Sequence, residues 1–155
     1  MRTHKTFILI LLACLPIAAV AGGQSDLPDD YCRWQVVDYA ITEPLCGLKG
    51  NAQHGREIVS DSDRGNCLAC HQLPISGIEA YGNIGPPLAG IASRLSVPMI
   101  RLRVVDTRNV NPASIMPGFY RDPRLINRPG ESYRGRTFLT AQQVEDVIAY
   151  LATLK

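Results

Sequence analysis

Five consecutive residues, Cys67-Leu68-Ala69-Cys70-His71, place two thiols three positions apart and an imidazole directly after the second. This is the C-x-x-C-H pattern of covalent haem c attachment. The two thiols add across the two haem vinyl groups, and the adjacent histidine comes under the iron as its proximal ligand. A thioredoxin-like redox dithiol shares the C-x-x-C, but it needs a strand before the motif and gives His71 no purpose. A zinc site needs a second ligand pair at suitable spacing, and Cys32 and Cys46 lie too far apart to form one. The reading is therefore one covalent haem c held by Cys67 and Cys70, with His71 on the iron.

A haem also needs a second axial partner or an open site. Beyond residue 21 the other histidine and methionines are His54, Met99 and Met116. Met116 is the best placed, because Ile115-Met116-Pro117-Gly118-Phe119 is a loop whose Pro and Gly fix the backbone around a thioether. Met99 sits in an apolar-periodic stretch and reads as core, and His54 reads as a solvated residue near a helix start. Thioether ligation raises the reduction potential relative to a second histidine. A six-coordinate iron has no vacant position for oxygen or substrate, so the favoured chemistry is outer-sphere electron transfer; a sensor would need that position open. Between the two expected ligands, Pro86 offers a carbonyl that can accept the Nδ1–H of His71 and orient the ring. Leu88 is placed to pack on the haem. Arg94 is placed either to pair with a propionate or to stand as a plain surface arginine.

The elements that hold these residues must fit in 155 residues, which is room for one compact domain. With 46% hydrophobic and 19% charged residues, wholesale disorder is excluded. The formal charge of +2 is too small for a nucleic-acid surface. Residues 1–21 read as a secretory signal peptide: Arg2 and Lys5, then a short apolar run, then Ala19-Val20-Ala21. The run is too short for a membrane span, so the expected location is the periplasm, with no span after cleavage. Removing it leaves 14 basic and 14 acidic residues, unevenly spread. Residues 22–100 hold 5 basic and 9 acidic residues, and residues 101–155 hold 9 and 5, a dipole able to orient docking. In an oxidising compartment Cys32 and Cys46, left over from the haem motif, are expected to form a disulfide rather than reactive thiols. Such a loop would contribute about 3 kcal/mol.

Residues 22–50 read as an N-terminal extension and residues 51–155 as the haem domain. A first helix is expected over 52–59, with Gly55 allowing close approach of another helix. A middle helix is expected over 100–105. A last helix follows the capping box Thr140-Ala141-Gln142-Gln143, with Val144, Val147, Ile148 and Leu151 inward, Glu145 and Asp146 facing away, and Tyr150 packing across Gly55. The loop 120–137 holds Arg121, Arg124, Arg128, Arg134 and Arg136 against Asp122 and Glu131. It reads either as a solvated basic loop or as a docking or anion-attracting surface beside a haem face.

The haem motif, the run Gly85-Pro86-Pro87-Leu88, the methionine loop and the final helix, in that order, resemble a class I cytochrome c. Gly65-Asn66 before the motif, Gly82-Asn83-Ile84 before the proline pair, Asn111-Pro112-Ala113-Ser114-Ile115-Met116-Pro117 and Phe119-Tyr120-Arg121 are similar more specifically to the SoxX family. These are the monohaem subunits of the periplasmic SoxAX cytochromes of bacterial sulfur oxidation. The resemblance covers residues 31–155 and implies an all-α, class I cytochrome c-like single domain around one covalent haem, with an N-terminal extension. It implies iron ligation by His71 and Met116, a SoxA partner in a heterodimer, the SoxYZ carrier protein as the molecule acted on, and a soluble cytochrome c as electron acceptor. It also implies that the complex is an L-cysteine S-thiosulfotransferase whose bond-forming chemistry lies in SoxA, with no catalytic residue in this chain. The alternative is a free-standing periplasmic monohaem carrier serving another oxidoreductase.

Overall fold

The computed structural model describes residues 31–155; the expected signal peptide and the start of the expected extension lie outside the described residues. Four α-helices carry the fold: α1 (Ala52–Ser60), α2 (Ile91–Arg94), α3 (Val97–Asp106) and α4 (Ala141–Leu151). Among the described residues there is no strand. A single bridge between Val37 and Ala40 closes a tight turn in which Asp38 and Tyr39 adopt φ of 49° and 58°.

α1 and α4 start where the sequence supplies acceptors for the unpaired N–H groups of the first turn, and α3 starts where a proline removes one of those groups. The Asn51 side chain accepts from Gln53 N and His54 N at the start of α1. Thr140 and Gln143 form a reciprocal capping box at the start of α4. Pro98 stands in the first turn of α3, where a missing N–H costs nothing. The helix therefore begins at Val97, three residues before the expected Ile100.

α1 crosses α4 at close range, and the reason is Gly55. A Cβ there would overlap the Asp146 carbonyl and come within 2.9 Å of the Tyr150 Cβ. α3 packs against α4 as well. Ile58, Val59, Leu102, Val105, Val144, Val147 and Ile148 meet in a core sealed from solvent. Apolar burial of this kind stabilises by roughly 25 cal/mol per Å².

Glu145 and Asp146 do not face away from the protein. They are 3% and 4% exposed, and they hold the elements together. Glu145 Oε1 accepts from Leu45 N at 2.9 Å and from Arg101 Nε at 2.9 Å, and Oε2 accepts from Arg101 Nη2 at 3.0 Å. Arg101 Nη1 donates to the Ile41 and Thr42 carbonyls at 2.9 and 3.3 Å. Asp146 Oδ1 accepts from Asn51 N at 2.7 Å and Gln142 Nε2 at 2.8 Å. The polar side of α4 is covered by residues 41–51, a layer that helical periodicity alone does not register.

The extension is thus an integral part of the fold. Ile41 and Leu45 are buried, and Ile41 N donates to the Pro98 carbonyl. Cys32 and Cys46 are bonded as a disulfide with Cα atoms 5.4 Å apart.

Candidate haem site

Two stretches of irregular chain build the site. The first begins where α1 ends. Gly65 N donates to the Ile58 carbonyl and Asn66 N to the Asp61 carbonyl, and Asn66 takes a left-handed φ of 47°. This turns the chain into a short 3-10 turn at Cys67–Ala69. Cys70 N and His71 N both donate back to the Cys67 carbonyl, at 3.1 and 2.8 Å, so the three functional residues share one rigid turn. What precedes the motif is a helix and a turn; the strand that a thioredoxin-like dithiol requires is absent.

The loop that follows is zipped onto this turn. Gly82 N donates to the Leu68 carbonyl, Gly85 N to the Cys70 carbonyl and Leu88 N to the Gln72 carbonyl, at 2.8, 2.8 and 2.9 Å. His71 Nδ1 lies 2.7 Å from the Pro86 carbonyl. A carbonyl can only accept, so it favours the Nδ1–H tautomer, the one whose Nε2 lone pair an iron ligand requires. Gly85 lies flat against the ring, and a Cβ there would overlap its Cε1 and Nδ1 atoms. A glycine is therefore needed to bring the Pro86 carbonyl to the imidazole. Arg94 points its guanidinium at this same loop: Nη1 donates to the Ala89 carbonyl at 2.7 Å and Nη2 to the Pro87 carbonyl at 2.9 Å. It braces the backbone beside His71.

The second stretch carries Met116. Asp106 caps the turn Thr107–Asn109 that ends α3, and Asn111 N donates to the Thr107 carbonyl. The Asn111 side chain accepts from Ala113 N, and Ser114 Oγ accepts from Met116 N at 3.3 Å. Downstream, Phe119 N and Tyr120 N donate to the Val104 and Val105 carbonyls, each at 3.2 Å. Met116 is half-buried against the hydrophobic core, as are Cys67, Leu68 and Leu88. Cys67, Met116 and Leu88 thus border one apolar interior. Met99 is half-buried on α3. His54 is 63% exposed at its side chain, with Nδ1 3.9 Å from Asp146 Oδ2.

Residues 52–155 match the cytochrome c family. The chain belongs to the cytochrome c family. A cytochrome c-553-like protein of Synechocystis sp. is 32% identical over 110 residues, spanning 71% of this chain and 75% of the relative. A chain of the SoxXA crystal structure from P. pantotrophus superposes with a TM-score of 0.71 at 35% identity, covering 79% of this chain and 94% of that one. The cytochrome is accordingly a SoxX-like, all-α monohaem protein carrying a covalent haem c.

The residues present fit that haem. Cys67 and Cys70 are the two free cysteines among the described residues, and both are half-buried. Burial, reinforced by the neighbouring Cys70, pushes the Cys67 thiol up to about 12. A reactive redox dithiol requires the opposite shift. The group supplies a reversible one-electron iron couple, and the protein's part is to hold it, choose its ligands and shield it.

The arginine-rich loop of this cytochrome leaves and returns at Phe119: Leu139 N donates to the Phe119 carbonyl, and Phe138 stands edge-on to Phe119 with ring centres 6.5 Å apart. The loop therefore starts and ends beside the methionine stretch. Arg121 and Arg108 pair with Asp106, and Arg124 pairs with Asp122. Arg128, Arg134 and Arg136 are exposed, and among the described residues none of them has an ion-pair partner. Sequence reasoning gave Arg101 and Tyr120 no structural role and turned Glu145 outward. Arg101, set between Ile100 and Leu102 in the apolar run of α3, was the available sign that a buried carboxylate would face it. No helix among the described residues is long and apolar enough to cross a membrane.

Proposed function

We propose that this cytochrome is the electron-transfer subunit of a periplasmic SoxAX-type complex, an L-cysteine S-thiosulfotransferase. In this reading a SoxA-like partner joins thiosulfate to a cysteine thiol of a SoxYZ-like carrier. One S–S bond forms, the thiol releases one proton, and two electrons leave. The haem of this chain accepts those electrons one at a time and hands them to a soluble cytochrome c. His71 and Met116 are the iron ligands, Cys67 and Cys70 the thioether residues, the Pro86 carbonyl orients the His71 ring and Leu88 covers the haem. The observation that carries the proposal is the likeness to the SoxXA chain over nearly its whole length, 94%, so that it extends past the minimal haem domain.

Arg128, Arg134 and Arg136, exposed and without an ion-pair partner among the described residues, support a transient docking role. Weak redox encounters use small, charged patches that steer association, whereas permanent interfaces bury more apolar surface. The test is recovery of the native protein from periplasm under gentle conditions, followed by staining of co-purifying bands for covalent haem. A second haem-bearing subunit is the expected result. A lone monohaem protein would contradict the complex and leave a free-standing carrier.

A further inference from the structure

The N-terminal extension and the methionine stretch meet on one side chain, Tyr120, four residues beyond Met116. Tyr120 is 2% exposed. Its hydroxyl accepts from Cys32 N at 2.7 Å, its carbonyl accepts from Trp34 Nε1 at 3.2 Å, and its ring stacks on Tyr31 with centres 4.9 Å apart and planes 9° from parallel. Both oxygens and one face of this residue are thus occupied by residues 31–34. That segment is itself closed by the Cys32–Cys46 disulfide. Beyond Ile41 it is pinned by Arg101 Nη1 on the Ile41 and Thr42 carbonyls and by Glu145 on Leu45 N. A continuous chain of bonded groups therefore runs from the centre of α4 through the disulfide loop to the downstream end of the methionine stretch. The upstream end is held separately, by the Asp106-capped turn after α3.

We propose that the disulfide-bounded segment, acting through Tyr120, is a positioning clamp that keeps Met116 on the iron. The irregular stretch 111–117, mostly exposed and with Ile115 80% exposed at its crest, has little packing of its own. The population in which the thioether leaves the iron is then set by how firmly the two ends are held. The upstream end is fixed by α3 alone, whereas the downstream end is held both by Phe119 N and Tyr120 N on the Val104 and Val105 carbonyls of α3 and by the extension, whose share is the part the variants below remove. Trp34, Tyr120 and the Cys32–Cys46 bond are positioning groups and touch no reacting atom. The inference rests on Met116 as the sixth ligand.

Added imidazole binds only the methionine-off state, so its apparent affinity reads the population of that state. The test compares the intact oxidised holoprotein with Trp34→Phe, Tyr120→Phe and Cys32→Ser/Cys46→Ser, and with Val144→Ala as a core variant outside the clamp. Two signals are followed: the weak thioether-to-iron charge-transfer band and the imidazole titration. The three clamp variants should bind imidazole more tightly, by about 2- to 30-fold, the range over which residues away from a site modulate it. Val144→Ala should leave the affinity unchanged even where its melting temperature falls as far. Equal affinities in clamp variants and wild type, or an equal gain in Val144→Ala, would overturn the clamp. Absence of the charge-transfer band in the wild type would instead overturn Met116 as ligand, and the clamp with it. If the double serine variant fails to fold, the two single aromatic variants carry the test.

Discussion

Removing the Glu145 carboxylate alone should destabilise the cytochrome more than removing both members of its ion pair. The side chains of Arg101 and Glu145 are 6% and 3% exposed and are joined by two nitrogen–oxygen contacts of 2.9 and 3.0 Å. Glu145→Ala leaves the guanidinium buried with Nε and Nη2 unmatched, and also strands Leu45 N–H. Breaking a buried pair from one side costs about 3–5 kcal/mol. For a domain of this size that corresponds to a fall in melting temperature of roughly 6–20 °C. Arg101→Met/Glu145→Leu removes both charges and fills similar volume. Its residual costs are the unpaired Leu45 N–H and the buried Ile41 carbonyl that Nη1 no longer serves, about 1–3 kcal/mol each, while the Thr42 carbonyl, at an exposed residue, returns to water. Thermal and denaturant unfolding of the holoproteins, followed by far-UV circular dichroism and the haem Soret band, gives the three stabilities. Amide exchange should place the earliest opening at residues 41–45, where Arg101 and Glu145 attach the extension. A single-variant loss below about 1 kcal/mol, or a double variant less stable than the single, would refute this account of the buried pair.

Gly85→Ala should force His71 or the Pro86 loop to move. The expected result is a lower yield of covalent haem and a loss of the low-spin spectrum, read in periplasmic extracts. Cys67→Ala/Cys70→Ala should abolish haem staining on denaturing gels. The hydrogen bond from Arg124, reinforced by charge, holds the Asp122 carboxyl below the usual carboxylate range. A depressed folded value means that its contribution is present above the ordinary value of about 4 and is lost as pH falls through the lower folded one. Asp122→Asn should therefore flatten the acid limb of the stability profile below about pH 4, measured by thermal melts from pH 7 to 2.5. Arg128→Glu/Arg134→Glu/Arg136→Glu should slow oxidation of the reduced protein by ferricyanide about tenfold at low salt and reverse its ionic-strength dependence in stopped-flow traces. An unchanged salt dependence would show that these arginines are merely solvated.

The haem turn was legible because its chemistry dictates residue types at fixed spacing within five residues. The capping box of α4 and the Gly55 crossing with Tyr150 were legible because caps and close approach are local or pairwise requirements. Glu145 and Asp146 were misjudged for an identifiable reason. Apolar periodicity marks the face of a helix that meets other apolar side chains, and it is blind to a second layer that meets the polar face through hydrogen bonds. Here that layer is residues 41–51, whose backbone groups need acceptors and donors that Glu145, Asp146 and Arg101 supply. Tyr120 was hidden for the same reason. Its partners Cys32 and Trp34 lie more than eighty residues away in the chain, and no spacing rule spans such a distance. Arg94 shows the converse, since a guanidinium for which the sequence offered a propionate or plain solvent braces the loop that holds the His71 ring.

The central claim, that this haem takes up the electrons of thiosulfate oxidation, is tested most directly in the purified complex. Thiosulfate is mixed with the oxidised complex in the presence and absence of the carrier protein, and the reduced α-band of this chain's haem is followed by stopped-flow absorbance. The account predicts reduction only when the carrier is present, at a rate that Met116→Ala alters. A haem that stays oxidised with thiosulfate and carrier together would contradict it.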